Sequence, residues 1–286
     1  MYSLGFDIGS SSIKASILHV ESGLTIAEGF YPKEEMAIDS PQPGFAEQSP
    51  ETWWSFSKLL LKQLLHEKNI DGRKIKSIGI SYQMHGLVLV DKNQNVLRPS
   101  IIWCDSRAVN IGNTAFNSLG EDYCLQHLLN SPGNFTASKL AWVKQNEPEV
   151  FGKIFKFMLP GDYIAMKLTG EISTTVSGLS EGIFWDFAEN KISEKVLEQY
   201  GIPKSFVPEI LPTFSVQGKI KNSVAEELGL ANDAVVSYRA GDQPNNAFSL
   251  NVLNAGEVAA TAGTSGVVYG VIDQVTYDKQ SRVNQF

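Results

Sequence analysis

Leu4, Phe6 and Ile8 alternate with Ser3, Gly5 and Asp7, the period of two expected of a strand with one buried face. A "GSSS" turn follows, then Ile13, Ala15 and Ile17 repeat the period, and "ESG" at 21–23 leads into "LTIAEGFY". Residues 2–31 therefore predict an antiparallel meander of three strands. Residues 32–48 hold three prolines and little apolar periodicity, which predicts a surface excursion. A helix is predicted next, with Ser49 as N-cap, Pro50 first inside and Glu51 suited to the first turn. Trp53, Phe56, Leu60 and Leu64 carry it on helical spacing to about Lys68.

Strands are predicted again over residues 74–104, in "KIKSIGIS", "GLVLVD" and "SIIWC". Helical spacing dominates from Ser106 to Gly170, clearest in "ASKLAWVKQNEPEVF" and in "GDYIAMKLTG", whose glycine is a stop signal. "GIFWDF" at 182–187 predicts a short strand, and residues 193–231 short helices broken by prolines. Then come a buried strand "AVVSY" (234–238), a helix "PNNAFSLNVL" and a hairpin over 256–272. "FDIGSSSIKAS" (6–16) and "ATAGTSGVVYG" (260–270) align without gaps, so that Gly9 matches Gly263, Ser10 matches Thr264 and Ser11 matches Ser265. This predicts a duplicated domain whose second copy starts near residue 239.

Composition changes the picture mainly by exclusion. The 286 residues allow two domains, and 43% hydrophobic with 19% charged residues is ordinary for a globular protein. A formal charge of −7 without a long Lys/Arg run argues against nucleic acid or an anionic membrane as partner. No apolar run reaches the ~18 residues of a membrane span, and "MYSLGFDIG" lacks the basic start of a signal peptide. Cys104 and Cys124 form no CxxC pair. A reduced, cytoplasmic setting is expected.

The two Gly/Ser/Thr turns are the first chemical clue. Such turns aim successive N–H groups and hydroxyls into a concavity that suits phosphate oxygens. Asp7, just before the first, can hold Mg²⁺ through water. Neither turn is a P-loop, since GxxxxGK[ST] is absent and Lys14 lies too far along its strand. In "YQMHGLV" (82–88), Gln83 and His85 stand at a strand end, where α/β sheets form ligand crevices, with Met84 able to pack on a polyol's carbon face. His85 also reads as a satisfied loop histidine. Asp105 and Arg107 in "IIWCDSRA" read equally as a cap with a surface pair. Asp242 in "RAGDQPNNA" is a natural N-cap. It is also the carboxylate a phosphoryl transfer needs to take a hydroxyl proton, because cradle, metal ligand and acceptor loop are all present. HExxH, a Cys/His zinc spacing and GxSxG are missing.

"FDIGSSSIKASIL", "PGFAEQSPETWW", "GISYQMHGLVLVD", "RPSIIWCDSRA", "LPGDYIAMKLTGE", "AGDQPNNA" and "AATAGTSGVVY" run from end to end of the chain. In that order they resemble the FGGY carbohydrate kinases of the actin-like ATPase superfamily, and "QMHG" with "WCDSRA" points to the xylulokinase branch. The resemblance implies an α/β fold: an actin-like (ribonuclease H-like) domain with a mixed sheet flanked by helices, then the start of a second, incomplete copy. It implies a sugar-binding domain at 1–238 and the beginning of a nucleotide-binding domain at 239–286. It further implies ATP and Mg²⁺, and phosphorylation of D-xylulose at O5. Asp242 becomes the catalytic base; Gln83, Met84, His85, Trp103, Asp105, Asp242 and Gln243 the sugar contacts; and Asp7 the metal ligand. Asp7 with Gly9, Ser10, Ser11, Gly263, Thr264, Ser265 and Gly266 would face the phosphates. Gln243 departs from the Asn common in that branch and matches glycerol kinases. Glycerol, gluconate or another ketose is thus the alternative acceptor, and a non-catalytic sugar-binding module the alternative class. Family members run considerably longer. The chain by itself is therefore expected to be nearly inactive, and its unburied apolar surface to favour either self-association, such as a homodimer, or a mobile C-terminal tail.

Overall fold

The computed structural model describes residues 1–262 and 266–286. The predicted meander is present as β1 (Tyr2–Ile8), β2 (Ile13–His19) and β3 (Leu24–Tyr31), paired antiparallel. Register puts Leu4 opposite Ile17, Phe6 opposite Ala15 and Ile8 opposite Ile13, so one face is apolar throughout and buried. Helix α1 (Pro50–Glu67) lies on that face through Trp53, Leu60, Leu61 and Leu64. Ser49 is its N-cap by position and makes no side-chain capping bond.

Strand β4 (Ile75–Tyr82) joins β1 in parallel, and β5 (Val235–Gly241) joins β4 in parallel. The sheet order is β5-β4-β1-β2-β3, a mixed sheet. Helix α2 (Thr136–Asn146) belongs to a separate, mostly helical core with Leu87, Leu89, Phe157 and Phe184. Helix α3 (Pro160–Thr169) covers β4 and β5 beside α1, and Gly170 ends it in the left-handed conformation. Helix α4 (Val176–Glu181) ends just below β5, and α5 (Asp242–Ser249) follows β5 directly. The hairpin β6 (Val258–Ala262) with β7 (Gly266–Gly270) is antiparallel as predicted and packs on α5. Val258 and Val268 on it stand exposed. The proposed matches of Gly263, Thr264 and Ser265 to the first turn lie outside the described residues. Among the described residues no helix is long and apolar enough to cross a membrane.

Four local expectations are corrected. A strand at Lys156–Met158 interrupts the helical stretch, because Phe157 and Met158 pair with Val88–Leu89 where the two cores meet, Leu89 and Phe157 in the second and Val88 and Met158 in the first. The 32–48 excursion ends indoors: Glu47–Gln48 pairs with Ser100–Ile101, and both side chains are buried. Asp105 and Arg107 are no surface pair. Asp105 accepts from Ala46 N–H at 2.6 Å and Arg107 N–H at 2.8 Å, and the Arg107 side chain lies buried against the edge-on rings of Phe45 and Trp142. Finally, Gly241 holds the N-cap position, so Asp242 is the first helical residue and not the cap. A carboxylate there still suits the helix dipole and is released from capping duty.

Candidate active site

Strands β1, β4 and β5 run parallel and stop together. Ile8 is level with Tyr82, and Tyr82 with Gly241. The next residues, Gly9, Gln83 and Asp242, therefore form a row across the carboxyl ends of three strands, about 10 Å from end to end at ordinary strand spacing. That edge is where open α/β sheets bind ligands.

At one end of the row, the turn after β1 needs its glycine: a Cβ on Gly9 would lie 2.8 Å from Ser12 O. The surrounding chain fixes the turn from outside. Gln48 Nε2 donates to Ser10 O at 2.6 Å, Met36 N–H donates to Ser11 O at 2.8 Å, and Trp103 Nε1 donates to Ser10 Oγ at 3.2 Å. The Ser10 and Ser11 amides donate to no described residue, which leaves them available to an anion. Beside the turn, Asp7 is one-third exposed and receives Ser81 Oγ at 3.1 Å and Lys14 Nζ at 3.2 Å. Lys14 thus serves Asp7 rather than the turn. No described cluster of three acidic, His or Cys side chains could cage a metal. One carboxylate with room for water is the donor set Mg²⁺ accepts, so Asp7 fits that role.

At the other end, Asp242 lies largely inside. Burial first, then the charge of Asp7, raises its carboxyl to about 6. Gln243 Nε2 reaches Asp242 Oδ1 at 3.4 Å. Gly241 must lack a side chain, since a Cβ would meet Met84 Cγ at 2.4 Å and Glu181 Oε2 at 3.4 Å. Met84 is thereby wedged under the base.

Between the ends sits His85, in the left-handed region at φ 61°. Glu181 holds it there from two sides. His85 N–H donates to Glu181 Oε2 at 3.2 Å, and Nδ1 lies 2.9 Å from Glu181 O. A carbonyl can only accept, so the proton sits on Nδ1 and leaves Nε2 as an acceptor. Burial, then the nearby Lys139 charge, lowers His85 to about 3, so the ring stays neutral. Lys139, itself lowered to about 7 by burial, donates to His85 O at 2.8 Å and to Ile102 O at 2.9 Å. It ties the "QMHG" loop to the strand before Trp103. Gln83 Oε1 is buried with no described partner.

Of the sequence-stated candidates, the fold gathers Asp7, Gly9, Ser10, Ser11, Gln83, Met84, His85, Trp103, Asp242 and Gln243 around one edge. Asp105 points away from it, its carboxylate spent on Ala46 and Arg107. Gly266 opens the exposed strand β7 on the hairpin. Gln48, Lys139 and Glu181 escaped sequence reading. Lys139 left one trace, a lone charge within the apolar "ASKLAW" run.

Glu181 has a testable signature. Burial raises it from 4.5 to about 8. The folded protein therefore takes up a proton between those values, and stability falls as pH rises from about 5 to about 8. Glu181→Gln is expected to flatten that fall. Thermal melts across pH 5–9 decide it, and parallel curves for parent and variant would count against it.

Residues 2–249 match the FGGY family of carbohydrate kinases, N-terminal domain. The xylulose kinase of Escherichia coli (strain K12) is 30% identical over 283 residues, covering 99% of this chain and 57% of that protein. The crystal structure of xylulose kinase from Rhodospirillum rubrum superposes with a TM-score of 0.89 at 27% identity, over 97% of this chain and 56% of that one. Gluconate kinase from Lactobacillus acidophilus shares the fold, with a TM-score of 0.85 at 24% identity over 93% of this chain and 53% of that one. The chain spans little more than half the length of the relatives it matches. With its mixed sheet and helices in the actin-like arrangement of those kinases, the chain belongs to the FGGY family of carbohydrate kinases.

Proposed function

We propose that this chain carries the acceptor-binding half of an ATP-dependent kinase that phosphorylates D-xylulose, with residues 1–238 as the sugar domain and 239–286 opening the nucleotide domain. The observation that carries the reading is the row itself: a half-buried carboxylate, Asp242, level with a turn whose amides are free. Asp242 takes the proton of the acceptor hydroxyl, and its raised pKa makes it a better base near neutral pH than an exposed aspartate. His85 Nε2 accepts from a second hydroxyl, Gln83 contributes its free Oε1, and Trp103 borders the pocket beside Ser10. The Ser10 and Ser11 amides donate to phosphate oxygens. Mg²⁺ held near Asp7 would neutralise charge on the transferring phosphoryl group. Asp105 drops out as a sugar contact and acts through the scaffold of Ala46 and Arg107.

Glycerol is the second reading, favoured by Gln243 beside the base. Two free cysteines fit a reducing, cytoplasmic setting. Calorimetric titration of the chain with D-xylulose, glycerol and gluconate tests the acceptor. D-xylulose is expected to bind most tightly, and stronger binding of glycerol would replace the first reading with the second. ATP turnover by the chain alone is expected to be close to nil, and near-native turnover would overturn the division of labour.

A further inference from the structure

A segment remote in sequence lies beside His85. Asp278 opens it with a tight turn, accepting from Gln280 N–H at 3.2 Å and Arg282 N–H at 2.8 Å. Ser281 Oγ then accepts from Ser131 N–H at 3.2 Å. Asn130, 1% exposed, is the anchor. Its Nδ2 donates to Gln285 O, and its Oδ1 accepts from Gln285 N–H at 3.0 Å, the two-point grip one strand exerts on another. Leu129 is held at φ 60° to present it. The grip sets Phe286 on the site. Its ring lies 5.3 Å from the His85 ring and 6.0 Å from Phe135, while Phe135 meets His85 edge-on at 4.7 Å. Gln285 Oε1 is buried and has no described partner.

We propose that Ser281–Phe286 forms the outer wall of the acceptor pocket, with Asn130 as its positioning residue and Phe286 as a specificity-determining residue. The inference rests on the acceptor reading of His85. Phe135 and Phe286 flank the histidine with two rings that offer no hydrogen bond. Such a wall suits the C–H face of an uncharged polyol and leaves a carboxylate without a partner. It selects neutral ketoses over aldonates at a point the "QMHG" loop cannot.

Two measurements on the chain as purified test it. In imidazole-resolved NMR without sugar, Phe286→Ala and Asn130→Ala are both expected to move the His85 ring signals and to leave His19, His66 and His127 in place. In titrations, Phe286→Ala is expected to weaken D-xylulose about 5- to 10-fold, the loss of one apolar ring contact, and to leave gluconate unchanged or improved. Phe286 is partly exposed, so its variant folds even if the buried Asn130 does not tolerate change. Unmoved His85 signals in Phe286→Ala would sink the wall outright. Moved signals with unchanged D-xylulose affinity would deny it a role in the pocket. Moved signals in a chain that binds no D-xylulose would overturn the acceptor reading, and the selectivity with it, while Asn130 docking stands.

Discussion

Asp242→Asn is expected to lower phosphoryl transfer by about 10²- to 10⁴-fold when this chain is assayed within a kinase of the matched relatives' length, the ordinary contribution of a positioned general base. Sugar affinity should stay within a few fold, because Asn keeps the shape and the contact with Gln243. The same substitution is expected to stabilise the fold. The Asp242 carboxyl titrates at about 6 in the folded protein against 3.8 ordinarily. Stability therefore falls as pH rises between those values, and the deficit persists above 6. Asn carries no such deficit, so the variant should gain roughly 1–3 kcal/mol at neutral pH. In the parent, kcat/KM should rise with pH through about 6 as the base loses its proton. Steady-state kinetics and urea melts read these outcomes. A variant that is slow because it is misfolded would be less stable, not more, so the pair of measurements separates catalysis from damage. Retained turnover would remove Asp242 from the chemistry.

The other large effect belongs to the strand that delivers Asp242. Arg239, three residues earlier and fully buried, meets Asp162 Oδ1 with Nε at 2.8 Å and Ser173 Oγ with Nη2 at 2.9 Å. Asp162 in turn accepts from Leu159 N–H at 3.1 Å at the start of α3. Burial already pushes its carboxyl up, and Arg239 opposes that. Arg239→Ala strands the acid in the core and should cost about 3–5 kcal/mol. Arg239→Met with Asp162→Asn removes both charges, keeps an oxygen for Leu159 N–H, and should recover much of the loss. Denaturant melts of the single and double variants decide it. Equal losses in both would show that the guanidinium acts by shape and not by charge. Because β5 ends on Gly241, the single variant should also blunt sugar binding.

Sequence carried the periodic parts well. Leu4, Phe6 and Ile8, and the Pro50–Glu67 helix, announce their faces because one side is core and the other water. Asp242 stood out through its company of turns, and its place across Gln83 from Gly9 follows from strand register that spacing alone does not contain. What stayed hidden is non-local. Nothing near Asp105 says that Ala46 and Arg107 consume its carboxylate. Nothing near Glu181 says that it pins a histidine 96 positions away. Phe157 and Met158 pair as a strand only because Val88 and Leu89 wait for them. Asn130 sits in "LLNSPGN", which reads as an ordinary loop, until Gln285 is laid against it.

The sheet's order also dictates a sequence of events. Strands β1 to β4 come from the first 82 residues and can associate early, and the helical core draws on 87–210. β5 can add to β4 only after everything between has been made, more than 150 residues later. Closing so long a loop is slow. The proposed proton acceptor follows directly on that strand, the last to join the sheet. A partly folded chain therefore presents its phosphate turn and histidine without the base, and competence to react waits on the final act of folding.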